Sequence, residues 1–206
     1  MPFLRSSAPE VTHGPSEGAC YLYVLPCAYE DLLKLGFSRH PLQRMQALHT
    51  RYFEFFDLDR AVLVETETVR DARRLELDLG HRLAEHGAPS PLTVRREAAG
   101  HTEWYRGAQA LLTDEAERLR GIGHTVHAPL RPWLRAELLR GADALFDWGA
   151  AVLDAVQGEP AHLDAPALAD LRQRVLDRLD AYEALGIAVG DFLPAALAHW
   201  RAQRRG

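Results

Sequence analysis

Two tyrosines, a lysine and a glycine fall on neighbouring segments that have the pattern of β-strands. Tyr21 and Tyr23 are two residues apart in the segment CYLYVL, and Lys34 and Gly36 are two residues apart in LLKLGF. Because side chains alternate across a strand, each pair shares one face. A hairpin that buries its leucines therefore brings all four residues together on its other face, where the glycine leaves room for a ligand. The alternative is a half-exposed face whose Tyr and Lys side chains reach solvent.

A carboxylate stands at the edge of the apolar stripe of a predicted helix over residues 68–87. Glu76 lies four residues after Ala72 and three before Leu79. No basic residue follows it at i+3 or i+4, and its near basic partner at helical spacing is Arg73, at i-3. Burying an unpaired carboxylate is costly, so a glutamate in this position needs a basic partner, a metal ion or a shifted pKa. The alternative is a boundary glutamate that reaches solvent or pairs with Arg73.

The elements that must position these residues alternate between strands and helices. Strands are predicted at 20–25, 32–37 and 61–66, and Pro41 is placed to begin a helix. We expect an α+β fold with a small antiparallel three-stranded sheet flanked by helices, followed by an all-α C-terminal region. The predicted organisation is a flexible N-terminal arm (1–19), an α+β domain (20–122) and a helical region (123–206).

Composition narrows the function classes. The 206 residues carry a net charge of -5, which excludes a strongly cationic nucleic-acid binder. Lys34 is the only lysine beside 23 arginines, and the chain contains no asparagine. No apolar run is long enough to span a membrane, and the N-terminus lacks the apolar core of a signal peptide, so we expect no membrane partner and a cytoplasmic location. Two cysteines, Cys20 and Cys27, are too few for a disulfide framework.

The order of these features resembles the GIY-YIG endonuclease superfamily, in particular its phage-type branch. The segment YLY (21–23) stands where that family has Gly-Ile-Tyr, and KLGFS (34–38) stands where it has Tyr-Ile-Gly or Lys-Ile-Gly. Arg44 follows Gly36 by eight residues, as the family arginine does. The segment EWYRG (103–107) is similar to the motif that closes the domain in that branch. The resemblance covers residues 20–121.

The resemblance implies a role for each matched residue. It implies that Glu76 binds Mg²⁺ or Mn²⁺, that Arg44 binds the phosphate, and that Tyr23 is the general base. A tyrosine with an ordinary pKa of about 10 needs that pKa depressed to act as a base, and Lys34 is placed to lower it or to contact phosphate. The substrate-binding candidates are Tyr21, Gly36 and His40, of which His40 is also an alternative base.

The predicted function is therefore a divalent-metal-dependent endonuclease that hydrolyses DNA phosphodiester bonds. The missing asparagine, which many members of the superfamily have, leaves open a catalytically weak or inactive nucleic-acid-binding or assembly module. The negative net charge predicts weak or assisted binding to DNA. Residues 124–206 could mediate homo-oligomerisation or bind a protein partner; the alternative is a helical extension packed on the α+β domain.

Overall fold

The structure is a computed structural model that describes residues 17–94 and 101–204. The predicted flexible arm (1–19) lies outside the described residues except for its last three, which belong to the first strand. The chain divides into two compact units, with the boundary between Leu130 and Arg131. In the part of the chain that the structure describes, no helix is long and apolar enough to cross a membrane.

The first unit is built around one antiparallel sheet of six strands. The strands are β1 (Glu17–Pro26), β2 (Leu32–Ser38), β3 (Val62–Thr68), β4 (Gly87–Ala88), β5 (Trp104–Arg106) and β6 (Val126–His127). Their order across the sheet is β4-β5-β2-β1-β3-β6. The alternating β-branched, leucine and aromatic residues of the three long strands suit a pleated, buried surface.

The prediction of a small three-stranded sheet is wrong. The three predicted strands form the centre of the sheet, and the short strands β4, β5 and β6 extend it on both sides. A strand of two or three residues is too short to show alternation, and its formation depends on a partner far away in sequence. The last strand also lies beyond residue 122, where the α+β domain was predicted to end.

Four helices accompany the sheet in the first unit: α1 (Pro41–Leu48), α2 (Tyr52–Phe55), α3 (Val69–Arg82) and α4 (Gln109–Gly121). Thr68 caps α3 by accepting a hydrogen bond from the backbone N–H of Asp71. Helices α3 and α4 cover one face of the sheet, where Leu22, Leu35 and Leu79 belong to a common apolar core. That packing orients α3, the helix that carries Glu76, across the central strands.

The face of the hairpin that carries Tyr23 and Lys34 is buried at both residues, each with 2% of its surface exposed. The alternative of a solvent-exposed face therefore does not hold at these positions. The strand register brings each of them next to one residue of a neighbouring strand: Tyr23 lies opposite Gly36 of β2, and Lys34 lies opposite Trp104 of β5. Residues directly opposite each other share a face of the sheet.

The described residues of the second unit are helical, with four α-helices joined by turns and short 3₁₀ segments. The helices are α5 (Arg131–Arg140), α6 (Ala142–Ala155), α7 (Ala169–Ala184) and α8 (Ala195–Gln203). Val175 and Leu179 of α7 are fully buried within this unit. Arg201 of α8 is also buried and pairs with Asp180 and Glu183 of α7, which ties the two helices together.

Candidate functional site

The ring of Tyr23 lies directly over Gly36 of the neighbouring strand. A Cβ atom added at Gly36 would come within 2.4 Å of the Tyr23 hydroxyl oxygen and 2.7 Å of the ring carbon that bears it. Only glycine tolerates this approach, because contacts shorter than about 3 Å between such atoms are forbidden. The room that the sequence pattern assigned to a ligand is thus filled by a side chain of the protein itself.

Arg44 reaches this hydroxyl from helix α1. Pro41 starts the helix at its first position, as predicted, and one turn later the Arg44 Nε–H donates a hydrogen bond of 3.4 Å to the Tyr23 hydroxyl oxygen. Arg44 is half-buried at this position. The contact holds the guanidinium beside the Tyr23 hydroxyl, and its planar N–H donors are suited to an oxyanion.

Lys34 is buried with its charge satisfied. Its ammonium Nζ donates to the Leu35 carbonyl oxygen at 2.6 Å and pairs with the Glu103 carboxylate oxygen Oε2 at 3.3 Å. Burial lowers the pKa of Lys34 from 10.5 to about 8, and the Glu103 charge opposes that shift. The ammonium is too deeply buried for direct contact with a phosphate, contrary to one of the two roles expected for it.

Glu103 belongs to the site, although the sequence reasoning did not name it as a site residue. It directly precedes β5, and its carbonyl oxygen accepts a hydrogen bond of 3.0 Å from the Leu35 backbone N–H. Its side chain is 41% exposed, and the Thr102 hydroxyl donates to the same carboxylate oxygen that Lys34 contacts. The available signal was the EWYRG motif, but only the pairing of β5 with β2 shows what its glutamate contacts.

Glu76 shares the electrostatic environment of these groups. The pKa of Glu76 is raised from 4.5 to about 7, chiefly by burial and next by the negative charge of Glu103. The positive charges of Lys34, Arg73 and Arg44 act in the opposite direction. Pairing with Arg73 therefore does not keep the pKa of Glu76 at its ordinary value, since the upward effects of burial and of the Glu103 charge outweigh the downward effects of all three cations.

The Tyr23 hydroxyl is harder to ionise than that of an ordinary tyrosine. Burial raises the pKa of Tyr23 above its ordinary value of 10, although the charge and hydrogen bond of Arg44 oppose the shift. Arg44 lowers this pKa, as expected of a nearby cation, but its effect does not offset burial, because the desolvation of a buried phenolate is the larger effect. Tyr23 remains protonated near neutral pH and serves as the hydrogen-bond acceptor that holds Arg44.

The three predicted substrate-binding residues occupy different surroundings. Gly36 lies beneath the Tyr23 ring. Tyr21 is half-buried two residues before Tyr23 on β1, opposite Ser38. His40 is exposed at the start of α1, where its backbone N–H donates to the Ser38 hydroxyl at 3.0 Å. His40 and Tyr21 thus flank the ends of the elements that carry Arg44 and Tyr23.

The expected magnesium or manganese ion depends on the carboxylate of Glu76. Mg²⁺ prefers oxygen ligands and retains several waters, so one carboxylate together with phosphate oxygens of a substrate can hold it. A partly buried carboxylate with a raised pKa is a donor of the right chemistry, because a bound cation relieves the cost of its charge. Across residues 17–94 and 101–204, no three His, Cys, Asp or Glu side chains are grouped to bind a metal by themselves.

One family model matches this part of the chain. Residues 20–120 match the T5orf172 domain. This domain family is associated with nucleases and DNA binding, which indicates a nucleic-acid-related function for the matched segment. The match contains every residue of the site described above.

The assignment to the GIY-YIG superfamily is wrong, because the T5orf172 domain is a distinct family and no GIY-YIG family model matches. The motifs behind that assignment are only three to five residues long, and such short matches have low specificity. Searches of curated proteins and of solved structures each returned no match.

Proposed function

We propose that the first unit is a divalent-metal-dependent endonuclease that hydrolyses DNA phosphodiester bonds. The observation that carries this proposal is a partly buried carboxylate, Glu76, in the electrostatic environment of Arg44 and Lys34. Such strongly shifted groups, surrounded by specific charged partners, are concentrated at functional sites. The match to a nuclease-associated, DNA-binding domain family supports the same reaction class.

In this proposal Arg44 binds a non-bridging phosphate oxygen with N–H groups of its guanidinium. Tyr23 fixes the orientation of Arg44, because its hydroxyl oxygen accepts the Arg44 Nε–H. Tyr21 and the exposed His40 are the proposed contacts to the neighbouring DNA backbone. These roles separate the buried residues, which position others, from the accessible residues, which meet the substrate.

Glu76 is the proposed ligand of Mg²⁺ or Mn²⁺. When bound, the ion would supply an activated water and charge stabilisation at the phosphate, which phosphodiester hydrolysis requires. The pKa of about 7 means that metal-free Glu76 is partly protonated near neutral pH. Metal and proton therefore compete for this carboxylate, and the affinity for Mn²⁺ should rise between pH 6 and pH 8.

The test is a cleavage assay with the full chain on supercoiled plasmid and on short single- and double-stranded DNA, with Mg²⁺, Mn²⁺ or EDTA. Glu76→Gln keeps the shape of the side chain and removes its charge, and we expect it to reduce cleavage on the order of a hundredfold or more. Asp78→Asn is the matched control, since Asp78 is exposed on the same helix. Equal rates for the wild type and Glu76→Gln, or cleavage that persists in EDTA, would contradict the proposal.

A second candidate function is a DNA-binding or assembly module that does not cleave. It is favoured by the burial of Tyr23 and Lys34, which removes two of the predicted catalytic side chains from contact with substrate. Saturable DNA binding by a wild-type protein that leaves DNA intact with either metal would select this alternative. A protein partner or homo-oligomer formed through residues 124–206 stays a prediction.

A further inference from the structure

We propose that Glu103 is a positioning residue, which holds the Lys34 ammonium in place beneath the site and influences DNA cleavage through it. The effect on cleavage rests on the proposed nuclease function. The placement of Lys34 by Glu103 is a separate statement about the folded protein, and it can be measured without any DNA.

Three contacts fix Glu103 at its place. The backbone carbonyl oxygen binds the Leu35 N–H, and the carboxylate oxygen Oε2 receives both the Lys34 ammonium and the Thr102 hydroxyl. The adjoining Trp104 is 1% exposed and lies opposite Lys34 in the β2–β5 pair, which anchors the start of β5. Glu103 is therefore held both through its backbone carbonyl and through its carboxylate.

The backbone of Glu103 is strained in the way that functional positions often are. Its φ angle is 55°, a left-handed conformation that L-residues other than glycine, asparagine and aspartate rarely adopt. Such a conformation persists only where the surrounding structure enforces it. Here it turns the chain so that the residue before β5 directs its carboxylate to Lys34.

Lys34 and Glu103 differ in exposure, and this difference indicates which of the two residues positions the other. The Lys34 side chain is 2% exposed, whereas the Glu103 side chain is 41% exposed. A buried ammonium without a carboxylate partner is strongly destabilised, so Glu103 is the group that keeps the charge on Lys34. Lys34 in turn acts on Glu76 through its charge, which favours the ionised carboxylate, whereas the charge of Glu103 itself disfavours it. The influence of Glu103 on cleavage is therefore assigned to its hold on the Lys34 ammonium and not to the ionisation of Glu76.

The single lysine makes this arrangement measurable in the full chain. Protein labelled with ¹⁵N- and ¹³C-lysine gives one lysine side-chain signal, whose titration reports the pKa of Lys34 directly. Acylation by acetic anhydride supplies a second readout, in which the N-terminal amine is the internal reference. The variants are Glu103→Gln and Glu103→Asp, and the control is Glu117→Gln, which breaks an exposed ion pair with Arg120 on α4.

We expect Glu103→Gln to lower the pKa of Lys34 by about one unit, since it removes an opposite charge from a buried amine. At pH 7.5 its acylation should become severalfold faster relative to the N-terminus. Cleavage should lose on the order of tenfold in kcat while KM changes less than about threefold, because the substrate contacts remain. Glu103→Asp should recover part of each effect, and Glu117→Gln should resemble the wild type.

An unchanged Lys34 titration and acylation rate in Glu103→Gln would overturn the placement. A shifted titration with unchanged kcat would overturn the influence on cleavage. Should Glu103→Gln fail to fold, Glu103→Asp, which draws the carboxylate back by one methylene from Lys34, must shift the Lys34 signal in the same direction by a smaller amount. If the wild type does not cleave DNA, the nuclease proposal fails, and the titration still decides whether Glu103 holds Lys34.

Discussion

Glu76 makes folding stability depend on pH, and the sign follows from its surroundings. Its pKa is about 7 in the folded protein against 4.5 for an ordinary glutamate, so the folded state binds the proton more tightly than the unfolded state does. Between these two values, raising the pH removes the proton from the unfolded chain first. Stability is therefore fully present below about pH 4.5 and is lost as the pH rises through 7.

We predict that Glu76→Gln flattens this part of the pH dependence. In buffer with EDTA, the wild type should lose stability between pH 5 and pH 8, and Glu76→Gln should lose less because an amide has no charge to bury. Urea unfolding at the two pH values measures the difference, with Asp78→Asn as the exposed control on α3. A parallel loss in the wild type and Glu76→Gln would show that Glu76 titrates normally.

At the residue scale, prediction from sequence succeeded where the chemistry depends on one residue and its neighbours along the chain. Strand alternation was enough to place Tyr23 and Lys34 on a common face. Helix periodicity was enough to identify Glu76 as a carboxylate at the edge of an apolar helix face. The contact between Lys34 and Glu103 spans 69 residues and depends on the pairing of two strands. No pattern local to either residue contains that information.

At the element scale, length decided what the sequence could predict. Strands β1, β2 and β3 have seven or more residues and were anticipated, whereas β4, β5 and β6 have two or three and were not. Helix α3 ends at Arg82 instead of 87, since the chain continues as a 3₁₀ turn over Ala84–His86. Short strands and helix ends are set by tertiary partners, which override local propensity.

The close approach of β1 and β2 at Tyr23 and Gly36 gives an element-scale prediction. Gly36→Ala places a methyl group against a buried ring, so Tyr23 must move and its hydrogen bond with Arg44 must break. We expect a destabilisation of about 1–3 kcal/mol, measured by urea unfolding, because an overpacked core strains its neighbours.

Gly121→Ala is the matched control for that substitution. A Cβ atom at Gly121, the last residue of α4, would meet no atom within 4 Å. Alanine there should be neutral or stabilising by up to about 1 kcal/mol, since glycine is the poorer helix former. Equal stability of Gly36→Ala and the wild type would mean that the Tyr23 ring does not lie over Gly36 in solution.

At the scale of the whole molecule, the site residues and the family match lie within the first unit. The net charge of -5 means that the proposed DNA binding would rely on local groups such as Arg44 and His40 and not on a general positive field. Few phosphate contacts predict a shallow dependence of affinity on salt, since each contributes about -0.9 to the slope of log K against log salt concentration. The net charge follows from the sequence alone, whereas the positions of the charged side chains around the sheet do not.

The boundary between the units leads to a prediction about truncation. A fragment ending at residue 130 retains β6, which pairs with β3, and it keeps the His127–Glu65 contact of 2.8 Å between imidazole and carboxylate. A fragment ending at residue 122 lacks β6 and exposes the edge of β3, which invites aggregation. In size-exclusion chromatography the 1–130 fragment should be monodisperse, and in circular dichroism it should melt cooperatively. The 1–122 fragment should melt at a lower temperature and self-associate. If both fragments behave alike, β6 contributes nothing to the stability of the sheet, and the first unit ends where the sequence pattern predicted.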